Sequence, residues 1–203
     1  MDKHQSRIII LACLLISGAI VFFASHPRGE VQTVGPIRTN QPIAIAKADD
    51  PARVVASDGK MSLTMREEKG KETTTYTFVA KNESIGSENQ IYSKTVPLGT
   101  VFSIPLNTFS PDDKYLFLKE TSASGDTYLA MTSSGALIKD AQTLDISSLF
   151  TAKYDSYKIT DVTGWGGMTL IVVNTDKTDG GVGPSFWFDV TSKGFIRLSN
   201  RFN

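Results

Sequence analysis

Apolar and polar positions along the chain fall into three regimes. From Ile8 to Ala24 the chain reads IIILACLLISGAIVFFA without a charge or a polar stripe. A helix inside a soluble protein shows a polar stripe, so this run reads as a membrane-spanning helix of near-minimal length, bounded at 8–25. Residues 26–52 come next, with Pro27, Pro36, Pro42 and Pro51 and little periodicity. That composition belongs to an extended linker with no core of its own. A lesser alternative has Ile43 to Ala46 adding an edge strand to the domain behind it. From residue 53 onward, short β-branched and aromatic runs alternate with Gly, Asp, Asn and Ser clusters, the signature of many short strands. No stretch there carries a helical period.

The third regime repeats itself. Asp58-Gly-Lys-Met-Ser-Leu-Thr-Met65 is a turn followed by an alternating strand. Asp112-Asp-Lys-Tyr-Leu-Phe-Leu118 repeats it, with Lys114 standing 54 positions after Lys60. Gly166-Gly-Met-Thr-Leu-Ile-Val172 repeats it again, with Met168 another 54 positions on. Before each turn lies an apolar strand: Arg53 to Ala56, Val101 to Phe109, and Tyr157 to Val162. After each comes a polar tip and an aromatic strand: Tyr76 to Val79, Tyr128 to Met131, and Phe186 to Val190. A last strand closes each unit: Gln90 to Lys94, Ala136 to Lys139, and Phe195 to Leu198. The expectation is an all-β region, residues 53–203, of about three four-stranded antiparallel blades behind one transmembrane helix.

The stretch Phe109-Ser-Pro-Asp-Asp-Lys-Tyr-Leu-Phe-Leu118 resembles the Ser-Pro-Asp-Gly-Lys-Tyr-Leu signature of TolB-type and prolyl-oligopeptidase-type propeller blades, a WD-repeat-like architecture. The resemblance implies that Pro111 and Asp112 shape the turn between the first two strands of a blade. Asp113 stands where the signature has Gly. Gly166 and Gly167 keep the turn of the third copy without the Ser-Pro-Asp. The resemblance is one of fold, and the hydrolase domain of the prolyl oligopeptidases is not part of the matching stretch. Closed propellers have roughly four to eight blades, and about three leave sheet edges to be covered. A protein partner or a homo-oligomer is therefore expected.

Charge and composition narrow the chemistry. Twenty-one basic residues balance twenty-one acidic ones, so no basic excess exists to neutralise nucleic-acid phosphates. Cys13 lies in the apolar run, and His4 and His26 flank it. Beyond residue 26 the chain has neither Cys nor His. That removes imidazole acid–base catalysis, Cys nucleophiles and Cys/His metal centres from the β region. Asp176 to Gly181 lacks the alternating ligands and terminal Glu of a calcium loop. No catalytic residue, metal or cofactor is assigned.

Asp112 and Asp113 are adjacent, and neighbours along a strand point apart, so they read as turn residues. Trp165 in its Gly-rich turn and Trp187 are the candidate binding residues. By alternation Trp187 faces opposite to Phe186 and Phe188. Lys3 and Arg7 precede the apolar run and Arg28 lies just beyond it. The positive-inside rule then places residues 1–7 in the cytoplasm and the β region outside a cell membrane. Phe22 and Phe23 are too bulky for a signal-peptidase site, so the helix reads as an uncleaved anchor. The functional expectation is a non-catalytic module that binds a protein or ligand. The alternative is a glycan- or peptide-directed enzyme accessory, or a hydrolase built on carboxylates alone.

Overall fold

The computed structural model describes residues 52–202. The expected cytoplasmic segment, transmembrane helix and nearly all of the expected linker lie outside the described residues. The described residues form one compact unit. No helix among the described residues is long and apolar enough to cross a membrane.

Among the described residues, twelve strands form three four-stranded antiparallel sheets, none of which closes on itself. The first contains β1 (Ala52–Val55), β2 (Met61–Lys69), β3 (Thr73–Asn82) and β4 (Ser87–Pro97). The second contains β5 (Val101–Ser103), β6 (Tyr115–Ser122), β7 (Gly125–Thr132) and β8 (Leu144–Asp145). The third contains β9 (Tyr157–Trp165), β10 (Leu170–Lys177), β11 (Phe186–Asp189) and β12 (Gly194–Arg197). Strand order matches chain order in every sheet, so each is a meander of hairpins.

Side-chain alternation stacks the three sheets. On the middle sheet, Leu116, Leu118, Leu129 and Met131 face the first sheet, meeting Leu63, Tyr76, Phe78 and Ile91. Phe117, Tyr128 and Ala130 face the other way, onto Ile171, Val173, Phe186 and Phe188 of the third sheet. Burial on both faces accounts for the unbroken apolar runs of β6 and β7, while β3 keeps a strict period of two. Polar ties also cross between sheets. Lys94 Nζ donates to both carboxylate oxygens of Glu120 at 2.9 and 2.7 Å, and Gln142 Nε2 donates to the Ile91 carbonyl at 3.0 Å.

Three features depart from the pattern-based expectation. The closing strand of the second sheet is Leu144–Asp145 and not Ala136 to Lys139. Gly135 and Lys139 both take positive φ, which turns the chain, and Ile138 reaches the core from a loop bridged to Ala141. The first strand of that sheet ends at Ser103 instead of running to Phe109. Pro105 has no N–H for the ladder, and pairing resumes only at an isolated Phe109–Leu116 bridge. A short helix, Ile146–Thr151, stands where the pattern predicts none. Asp145 caps it by accepting from Ser148 N at 2.9 Å, and Ile146 and Phe150 fill the core beneath it.

Candidate functional site

Of the three turns that repeat in the sequence, the first two meet through Asp58 and Asp113, and residues flanking all three line one cleft. The middle one is knitted most tightly. Ser110 Oγ donates to Asp112 Oδ1 at 2.8 Å and accepts from Tyr115 N at 3.0 Å, while Asp113 N donates to the Ser110 carbonyl at 2.9 Å. Closing this turn puts Asp113 in the left-handed region at φ 57°, the conformation that Gly would take without strain. In the first turn Gly59 has φ 74° and Lys60 N donates to Asp58 Oδ1 at 2.8 Å.

A cleft of about 340 Å³ opens where these turns meet. Val55, Ala56 and Ser57 come from the end of β1. Leu106, Asn107, Phe109 and Pro111 come from the stretch that Pro105 interrupts, and Thr163, Gly164, Trp165 and Val172 from the third sheet. Among the described residues, no charged side chain lines the cleft. Leu106 stands at its rim 89% exposed, with Val55 exposed beside it. Asn107 Nδ2 donates to the Thr163 carbonyl at 3.2 Å across the floor. Gly164 has φ 148°, and a Cβ there would come within 3.1 Å of Asn107 Cβ. This lining suits an uncharged, largely apolar guest with a few amide groups.

Trp165 forms one wall. Its indole Nε1 donates to the Thr108 carbonyl at 3.0 Å, joining the third sheet to the second, and its ring stacks on Tyr115 at a centroid distance of 6.5 Å. Trp187 lies on the opposite, outward face of the third sheet, against Gly166. A Cβ on Gly166 would sit 2.6 Å from the indole nitrogen, so only Gly leaves room for the ring. The Trp187 N–H is buried there without an acceptor among the described residues. Gly167 meets only Leu170, at ordinary contact distance. The structure thus places Trp165 in the cleft with Pro111, and Trp187 outside it.

A second depression, about 350 Å³, adjoins the cleft at Pro111 and is acidic. The adjacent carboxylates Asp112 and Asp113 take different partners: Asp112 serves its own turn, while Asp113 meets Asp58 of the first sheet. Burial first, and then the hydrogen bond and charge of Asp58, push the Asp113 carboxyl up to about 6. Asp58 moves the other way, lowered chiefly by its hydrogen bond with Lys60. Of the two, Asp113 is therefore the carboxyl that holds its proton longer as pH rises. No group of three or more acidic or metal-binding side chains is placed to hold a metal among the described residues.

Local sequence does not single out Leu106, Val55 or Asn107, because nothing in it marks a residue whose role depends on a three-sheet junction. The Asp58–Asp113 meeting has a signal: both belong to repeated turns, and turns of neighbouring repeats lie side by side. No family profile, curated protein or solved structure matches the chain.

Proposed function

We propose that this chain is a non-catalytic binding module of propeller-like blades, held at a cell membrane by its N-terminal helix, with the sheets outside the cytoplasm. The observation that carries the reading is the uncharged cleft at the meeting of the repeated turns, with Leu106 standing free at its rim. Free-standing large apolar side chains beside a concave apolar surface are what partner contact uses. The propeller-like assignment draws support from three meanders of matching turn position. The anchor rests on the uncharged run from Ile8 to Ala24.

Trp165 supplies the assay. In a Trp187→Phe background its emission reports the cleft alone. Peptides of uncharged, leucine- or phenylalanine-containing sequence should quench or shift it saturably, and Leu106→Asp should abolish the response. Equal responses to charged peptides, or none to any peptide, would refute the reading. Protease added to intact and then opened cells tests the orientation: the β region should be cleaved before opening.

One observation favours a second reading, a carboxylate-based hydrolase. Two carboxyls displaced in opposite directions are the pattern by which one acts as acid and the other as base or nucleophile. Hydrolysis of a panel of chromogenic glycosides and peptides, lost in Asp113→Asn, would establish it; an inert panel removes it.

A further inference from the structure

Three sheet edges border the cleft: β1, β9 and the stretch from Leu106 to Phe109 that follows β5. In an antiparallel ladder, residues of the non-hydrogen-bonded pairs turn their N–H and C=O away from the partner strand. Ala56 N donates to the Met61 carbonyl at 2.8 Å, so its neighbour Val55, opposite Ser62, is such a residue. The same alternation picks out Phe109, because the main-chain bonds of Thr108 and Ser110 on either side of it go to Phe117 and Tyr115. It picks out Trp165 as well, since the next residue, Gly166, donates its N–H to the Leu170 carbonyl. All three line the cleft.

Two of these edges already serve each other. Asn107 Nδ2 donates to the Thr163 carbonyl at 3.2 Å, and Trp165 Nε1 donates to the Thr108 carbonyl at 3.0 Å. A Cβ on Gly164 would come within 3.1 Å of Asn107 Cβ. A further strand needs about 4.7–4.9 Å to each neighbour, so none enters between them. The edge of β1 is different. Among the described residues, no hydrogen bond beyond the ladder ends on the main-chain groups of Val55 or Ser57, and both residues are exposed. Arg53, the next residue to face that way, carries a charge held by Glu83 at 2.7 Å, and a charged side chain blunts an edge. The open, uncharged part is therefore Val55 to Ser57, a template for another strand.

We infer that the cleft takes its guest as an added strand: a short, extended, uncharged peptide whose main chain bonds to Val55 on the open edge of β1. On the reading of the cleft as a binding site, on which this rests, main-chain bonds give affinity and alternate side chains give selectivity. Val55 offers the guest one N–H and one C=O, and Leu106, Phe109 and Trp165 offer its side chains apolar walls. Charge complementarity fixes the guest's chemistry. A charged side chain would give up water to an uncharged lining and find no counter-ion. A compact apolar ligand would suit the walls but leave the main-chain groups of β1 unpaired, whereas a peptide carries the matching acceptor and donor. The cleft, about 340 Å³, lies at the low end of the roughly 300–1,000 Å³ of ligand sites, so the captured segment is short.

The test uses the full-length chain in detergent, carrying Trp187→Phe so that emission reports Trp165. The probes are acetyl- and amide-capped pentapeptides, Thr-Leu-Thr-Phe-Thr and Thr-Phe-Thr-Leu-Thr, each also made with single backbone N-methyl groups. The unmethylated probes should bind saturably. N-methylation should weaken binding by about tenfold or more at alternate positions only, where the lost N–H faced Val55. Val55→Pro removes the protein's donor without breaking the ladder, since that N–H faces away from β2, and should cost a similar factor. Val55→Ala keeps the donor and should cost less. Losses without alternation, no loss on methylation, or equal losses in Val55→Pro and Val55→Ala overturn strand addition and leave the cleft as a binding site. Should Val55→Pro not fold, the methylation pattern alone decides. Silence from every probe removes the binding site itself, and the pairing with it.

Discussion

Replacing Asp113 with Gly tests the turn and the carboxyl pair together. At φ 57° a non-Gly residue carries strain of about 1 kcal/mol, less for Asp than for most. Gly relieves it but costs about 0.5–1 kcal/mol through its looser unfolded chain, so the backbone contribution nearly cancels. The electrostatic part does not cancel. Folding raises Asp113 from 3.8 to about 6, so between those values the folded chain holds a proton that the unfolded chain has released. The stability this contributes is present below about 4 and is lost as pH rises through 6. A displacement of about two pH units is nominally about 3 kcal/mol, and solvent screening at this part-exposed site reduces it to about 1 kcal/mol. Asp113→Gly should therefore stabilise the folded chain by about 1 kcal/mol at pH 7.5 and by nearly nothing at pH 4. Urea unfolding followed by tryptophan emission measures both values, and Asp113→Asn should show the same dependence on pH. A gain of equal size at both pH values would refute the electrostatic argument and leave only backbone strain.

Trp165→Phe removes the bond to the Thr108 carbonyl, which keeps a second donor in Phe117 N at 3.1 Å, so no acceptor is orphaned. The cost should be about 2–3 kcal/mol, roughly 1 for the hydrogen bond and the rest for lost ring packing, read from urea midpoints. Gly166→Ala should destabilise by about 1–3 kcal/mol, because the new methyl meets the Trp187 indole; a red-shifted Trp187 emission would accompany it. Glu83 accepts from Ser62 Oγ at 2.6 Å and from Arg53 at 2.7 Å, which with Lys81 lowers its carboxyl to about 2. A carbon-detected NMR titration should find it there. Its contribution to stability, present above about 4.5, should be lost as pH falls toward 2.

The repeat spacing and the alternation of β3 are enough to place most strands of the three sheets, because antiparallel meanders write their pleat into local sequence. What stays hidden depends on distant residues. Ile138 alternates like a strand residue yet reaches the core from a loop, since the positive φ of Gly135 and Lys139 outweighs local pattern. The helix at Ile146–Thr151 is too short for its period to register and is held by its Asp145 cap and by Phe150. Trp165 is visible as an unusual residue in a Gly-rich turn, whereas its bond to Thr108 spans 57 residues and has no local trace. Leu106 looks like part of a strand, and its freedom comes from Pro105 beside it.

The middle sheet, covered on both faces, has a consequence for how the molecule comes apart. Either outer sheet can peel from it while the other stays packed, but the middle sheet cannot leave without breaking both cores. Amide hydrogens of Leu116–Leu118 and Leu129–Met131 should thus exchange only on complete unfolding, while those of the outer sheets exchange earlier through partial openings. Under mechanical load the chain should accordingly lengthen in steps, with β6 and β7 the last pair to yield.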